Sequence, residues 1–463
     1  MPRMIMGLFI GYGHGPRGWD DPGLRDHYDW RRPELYQGLA LVCERGIFDV
    51  MVFADVLGIP EAFRGSQDTS IRYGLEGICH DPIPLVAMIA AKAEKIGLAS
   101  TLSTTFYPPF LLARLVSSLD HLTRGRIGWN VVTTSNQSSA KNFGQELPRH
   151  DDRYDIAEEY MDLCYQLWSS WEPDAVVTPH DDFLFADPTK VHRIDFAGEH
   201  FRCQGPLTTA PSPQGRPVIV QAGSSDRGRE FAARHAELVI CSKESLDDMK
   251  ATYEDIKTRV LRHGRKESDC RVLFTFNPMV IGLTEEDVRR KEKLFEDVGK
   301  GMLEAGLSKV SRSLGIDVSK FDLDQPIPHI DENLLQSGRS LIPRYYSFGR
   351  NPPLREVAAR EATKETFQVR GTYERIAQRL IDVVNEVGGD GFLLRANYLT
   401  KPLSGYVAEF VDHVVPILQR EGYMNSAYSV GTLRERLGTA SLGMPVKKGQ
   451  RPPDLRYFDE PQP

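Results

Sequence analysis

The side chains that could do chemistry at the ends of this sequence's apolar runs are mostly neutral. Thr101, Ser103 and Thr104 close "LASTLSTT", Asn130 and Thr133 lie in "GWNVVTTSN", and Ser224 and Ser225 close "PVIVQAGSS". Only Asp55, after "VMVFA", and His14, in "GYGHG", can carry charge at such ends. Asn130 stands inside an apolar stretch, where an amide without partners costs roughly 1–3 kcal/mol, so it must bind something. No carboxylate pair stands at these ends, and the sequence has no H-x-H or G-x-S-x-G, which argues against metal catalysis and a serine-hydrolase triad. Hydroxyl and amide donors in this number suit a large neutral ligand with a heteroaromatic ring.

Two further segments point to an anion. In "QAGSSDRGREFAARH" a strand ends and a helix begins at once, so free N–H groups with the Ser224 and Ser225 hydroxyls would hold a phosphate. Plain N-capping by a serine or by Asp226 explains the same residues. "HDDRYD" precedes a helix, and it reads either as a polar cap or as His150 and Tyr154 donating to an anion. "GYGHGPRG" resembles a dinucleotide fingerprint, but Pro16, Trp19 and "DDPG" do not open a helix there. A lid loop fits better, with His14 lining the pocket or merely solvated.

These residues need a scaffold, and the chain alternates strand and helix throughout. The strands are "MIMGLFIG", "FDVMVFADV", "LASTLSTT", "RIGWNVVTT", "PVIVQAG", "ELVICS", "CRVLFTFNPMVIG" and "DGFLLRAN". They are apolar on both faces and rich in β-branched residues, as strands of a covered parallel sheet are. Eight such units imply an α/β fold, a (β/α)8 TIM barrel with extended insertion segments; the alternative is a doubly wound open sheet. One domain is expected over 1–443, with insertions at about 172–215 and 284–368. A proline-rich tail follows at 444–463, either disordered or an arm onto a neighbouring subunit. The 463 residues are 41% hydrophobic and 26% charged, with a net charge of -7 and no basic stripe, so neither nucleic acid nor membrane is an expected partner. Six cysteines without a C-x-x-C pair read as buried small hydrophobes in a reducing cytoplasm.

Taken together, "ERGIFDVMVFAD", "PPFLLARLVSSLDHLTRGRIGWNVVTT", "NFG", "HDDRYD", "FADPTKVHRIDFAGEHFRCQGPL", "SPQGRPVIVQAGSS" and "TLRERLG" resemble the two-component flavin-dependent monooxygenases of the bacterial luciferase superfamily. The similar branch holds nitrilotriacetate, EDTA, dibenzothiophene-sulfone and dimethylsulfide monooxygenases, and the resemblance runs from about residue 5 to residue 437. It implies a luciferase-like barrel that binds reduced FMN, with O2 as co-substrate and an NAD(P)H-dependent flavin reductase supplying the FMN. Carried over by position, Asp55, Thr101, Asn130, His150, Tyr154 and Ser225 contact the flavin, with Ser224 beside them; His14 is the candidate for proton transfer, and no metal is expected. The implied reaction oxygenates a small heteroatom-bearing organic molecule and cleaves a C–N or C–S bond in a catabolic pathway. A homodimer or homotetramer is also implied. Side-chain cleavage of a flavin or other fused heterocycle, an FMN- or deazaflavin-dependent dehydrogenase and a non-catalytic flavin carrier are the alternatives.

Overall fold

A computed structural model describes residues 3–11, 30–177, 184–328, 330, 351–363, 367–395 and 403–439. His14 and the proline-rich tail lie outside the described residues. Eight parallel strands form the wall: β1 (Ile5–Ile10), β2 (Val50–Phe53), β3 (Gly97–Ser103), β4 (Ile127–Val132), β7 (Val218–Gln221), β8 (Leu238–Cys241), β9 (Arg271–Gly282) and β11 (Gly391–Arg395). Neighbours pair in that order, and β11 returns to β1, so the sheet closes into a TIM barrel. These are the eight apolar runs expected from the sequence.

Two pairings were not expected. A short hairpin, β5 (Phe196–Ala197) with β6 (Arg202–Cys203), stands in the first irregular stretch. β10 (Phe367–Thr372) pairs in parallel with the far half of β9, from Phe276 to Gly282. β9 thus serves the barrel with its first residues and β10 with its last.

Alternation along each strand divides the interior in two. Ile5, Val50, Val52, Ala99, Val218, Val220, Leu238, Ile240, Leu273 and Leu393 pack inside the barrel. Met6, Leu8, Leu98, Ile127, Trp129 and Leu394 face the helices. Those helices include α1 (Pro33–Arg45), α2 (Asp68–Arg72), α3 (Pro82–Ala90), α4 (Pro109–Leu122), α5 (Gln137–Asn142), α6 (His150–Trp168), α7 (Asp226–His235) and α8 (Leu246–Arg262). Ser245 caps α8, accepting from the Asp248 N–H at 3.1 Å, as its place before the helix predicts. None of the described helices is long and apolar enough to cross a membrane.

The second insertion forms α9 (Glu285–Gly301), α10 (Leu303–Leu314) and α11 (Leu354–Thr363). Leu307, Val310, Leu354 and Val357 build a small separate core there with Phe63, from the loop after β2. The insertion therefore leans on the C-terminal side of the barrel. α12 (Tyr373–Val387), α13 (Leu403–His413) and α14 (Val415–Arg420) complete the outer ring, and α15 (Leu433–Leu437) closes the opposite, N-terminal end. Leu433 and Leu437 join the inner core from below. A Cβ on Gly97 would sit 2.5 Å from Leu433 Cδ1 and 2.9 Å from the Asp49 carbonyl oxygen, and the backbone contact reserves that position for glycine.

Candidate active site

Pairing of β3 with β4 sets Thr101 directly against Asn130. In "GWN" the indole of Trp129 turns outward and donates to the Leu102 carbonyl at 3.0 Å. Asn130 therefore turns inward, and its Nδ2 donates to Thr101 Oγ1 at 2.8 Å. Its other end differs: Asn130 Oδ1 is buried and has no hydrogen-bond partner. A buried carbonyl oxygen left in that state costs roughly 1–3 kcal/mol, which a ligand N–H would recover. Above the pair, Ser103 Oγ meets Thr134 Oγ1 at 2.7 Å and Thr105 Oγ1 donates to the Thr133 carbonyl at 2.9 Å.

A second group forms between α6 and α7. "HDDRYD" does not precede α6; it is the first turn and a half of it, with Arg149 as the cap position. Helical spacing puts His150 and Tyr154 on one face, their rings 5.3 Å apart. His150 Nδ1 also meets Asp151 Oδ1 at 2.6 Å. Tyr154 is buried among Ser225, Thr133 and Gln221; burial raises its phenol pKa and those polar neighbours partly offset the rise. Ser225 is the N-cap of α7, its Oγ accepting from the Gly228 N–H at 3.0 Å. N-capping thus holds for Ser225, and the Asp226 and Arg227 N–H groups ahead of Gly228 are those a first helical turn leaves without an intrahelical acceptor. A Cβ on Gly228 would stand 2.7 Å from Tyr154 Oη and 3.1 Å from Gly223 Cα, so the turn is packed tightly against the phenol. The Ser224 carbonyl accepts from Arg229 Nη1 at 2.9 Å.

Asp55 sits beyond the end of β2, half-buried. Burial, and then the charge of Asp81, push its carboxyl up to about 6. Cys79 places its Sγ 3.8 Å from Asp55 Oδ1, and burial followed by the Asp55 charge pushes the thiol up to about 12. The apolar reading of the cysteines describes Cys43, Cys164, Cys241 and Cys270, which are buried, better than it describes Cys79. Loop contacts brace this side: Asn136 Nδ2 donates to the Gly58 carbonyl at 3.0 Å and Asn142 Nδ2 to the Leu57 carbonyl at 2.8 Å.

The structure therefore brings the predicted residues into two clusters, Thr101 with Asn130 inside the barrel mouth and His150, Tyr154 and Ser225 at its rim. The end of β4 links them, since Asn130 and Thr133 lie three residues apart. The residues expected from the sequence do not include Arg395, an inward-facing residue at this end whose guanidinium lies 4.9 Å from the centre of the Phe9 ring. Its signal was available, because alternation in "GFLLR" puts it on the face of Leu393.

Residues 28–391 match the luciferase-like monooxygenase family. The chain belongs to that family. Its members include dibenzothiophene-sulfone monooxygenase of Rhodococcus erythropolis, 38% identical over 91% of this chain and 92% of that protein. Nitrilotriacetate monooxygenase component A of Aminobacter aminovorans is 35% identical over 91% and 93%. Among solved structures, a riboflavin lyase determined with modified FMN and its substrate riboflavin superposes with a TM-score of 0.83 at 32% identity, covering 94% of this chain and 96% of that one. The luciferase-like monooxygenases are a flavin-dependent family, so this protein is an enzyme and an oxidoreductase.

Proposed function

We propose that this protein binds reduced FMN at the barrel mouth and uses O2 to oxygenate a small heteroatom-containing organic molecule, with cleavage of a C–N or C–S bond. The observation that carries the reading is the buried, unpartnered Oδ1 of Asn130 beside Thr101. An acceptor in that state fits an N–H on the edge of a flavin ring, and the neutral hydroxyls around it fit the rest of an uncharged heterocycle. At the rim, the first turn of α7 with Ser225, the Tyr154 phenol packed against it and His150 beside that phenol suit the terminal phosphate. The residues present thus fit the cofactor.

Bound there, reduced FMN supplies the electrons for oxygen activation. The chain's own part is to bind, orient and keep the site dry. Thr101 fixes the Asn130 amide so that its oxygen is preset as an acceptor. Asp55 is neutral below about pH 6 and ionised above it, which sets the charge beside the loop after β2. The likeness to a monooxygenase "component A" supports a two-component arrangement, in which an NAD(P)H-dependent reductase delivers the reduced FMN. A second reading, side-chain cleavage of riboflavin or another fused heterocycle, is supported by the likeness to riboflavin lyase.

The test is anaerobic titration with reduced FMN, followed by turnover under isotopically labelled O2 with a panel of amines, thioethers, sulfones and riboflavin. The expected result is saturable binding and labelled oxygen in a product. Failure to bind reduced FMN, or products free of the label, would overturn the reading; a ribityl-derived product selects the second.

A further inference from the structure

Among the described residues, the inward face of the barrel strands is apolar at mid-height and neutral-polar above it, with one exception. Arg395 ends β11 directly beside Phe9 of β1 in the register. Leu393, two residues earlier, belongs to the inner core, and Phe9 packs against the same core. Arg395 shares the inward face and lays its guanidinium over the Phe9 ring, centroid distance 4.9 Å. Among the described inward-facing strand residues, it is the only charged one at the C-terminal end. Arg271, on the same face of β9 as Leu273, lies at the other end, 3.1 Å from Asp390.

Position adds to charge. Following the wall in either direction, β11 is four strands from β4. Arg395 therefore faces the mouth from the side opposite Asn130, the residue assigned to the flavin. A ring stacked on a guanidinium fixes the orientation of its plane. Five N–H donors in a planar fork let an arginine hold an oxyanion and other partners together.

We infer that Arg395 is the substrate anchor and that the substrate carries an oxyanion, a carboxylate or sulfonate, held across the mouth from the flavin. This rests on the barrel mouth being the pocket of the proposed monooxygenase. An anion there would be fixed at one end in a fork while its heteroatom is presented to the cofactor side. Neutral analogues would lose the fork and bind without orientation.

The experiment is calorimetric titration of the full-length protein, with and without reduced FMN under nitrogen, using benzoate, benzenesulfonate and the neutral isostere benzamide. Wild type should bind one of the anions at least tenfold more tightly than benzamide, and the preferred anion separates carboxylate from sulfonate. Arg395→Gln should abolish that preference and leave affinity for reduced FMN within about twofold. If Arg395→Gln does not fold, Arg395→Met, which leaves no polar atom beside Leu393 and Phe9, serves for the same comparison. Equal binding of benzamide, or an anion preference that survives both substitutions, overturns the assignment. So does a tenfold loss of reduced-FMN affinity in the variant, which would give the cation to the flavin. Absence of flavin binding by wild type sinks the proposed function instead, and the flavin-free titrations still decide Arg395.

Discussion

At the floor of the barrel Arg434 donates from all three guanidinium nitrogens, to Glu237 at 2.7 Å and to the carbonyls of Gln214, Arg216 and Pro217. At the mouth Asn130 keeps an oxygen with no partner. Both residues are buried. Burial opposes the charge on Glu237, yet Arg434 and Arg216, with the Ile219 N–H, outweigh it and hold the carboxyl below the usual range. Arg434 and Glu237 thus satisfy each other in the free protein, whereas Asn130 at the mouth has an acceptor still to satisfy. Polar groups buried with partners stabilise a fold; the same groups buried without them are a binding site in waiting.

That contrast predicts where substitutions will be felt. Arg434→Met leaves Glu237 as a buried carboxylate without its main partner and should cost about 3–5 kcal/mol in urea unfolding. Adding Glu237→Gln should restore part of the loss; a single variant as stable as wild type would break the contrast at its strongest point.

Asp55 gives the next effect. Its folded-state pKa, about 6, lies above the ordinary value of 3.8, so the folded protein holds that proton more tightly than the unfolded chain. Stability therefore falls as pH rises from about 4 to about 6, and the loss is complete above that window. Asp55→Asn stays neutral and should exceed wild type at pH 8 by on the order of 2–3 kcal/mol, drawing level near pH 3.5. Denaturation curves at the two pH values check it.

Gly228→Ala drives a methyl against Tyr154 Oη at the rim, a clash worth roughly 1–3 kcal/mol. Its effect should fall on reduced FMN and spare reduced riboflavin, which lacks the phosphate; equal losses would remove the phosphate from this turn. Asn130→Leu is the gentlest and most telling change. Reduced-FMN affinity should drop about tenfold, about 1.4 kcal/mol, with no loss of thermal stability. A variant that binds as wild type does, yet melts earlier, would make Asn130 a core residue and nothing more.

How much of this could be read from the chain varies by element. All eight barrel strands are visible because strands covered on both faces are continuous apolar runs, and Ser245 announces α8 by its capping chemistry. β10 is hidden because "VRGT" is short and its partner is the overhang of a strand already assigned to the barrel. The start of α6 is hidden because "HDDRYD" shows no apolar periodicity, so a polar first turn looks like a loop. The segments holding Thr101 and Asn130 are legible, but their contact depends on the register between two strands. Arg434 is the opposite case. Nothing in "TLRERLG" says that two of its charges, Arg434 and Arg436, are buried, since only closure of the barrel floor makes them so.

The double duty of β9 bears on how relatives of this protein can be recombined. A single strand of 12 residues carries barrel wall at one end and the support for β10 at the other. The second insertion is accordingly no detachable cassette. A chimera that exchanges 284–363 alone joins a foreign α9 to a strand whose last residues are already committed to β10. A graft that exchanges 271–372 as one piece moves wall, helices and outer strand together. Diversification of the pocket in this architecture has to proceed in units cut at the barrel strand, not at the visible ends of the insertion.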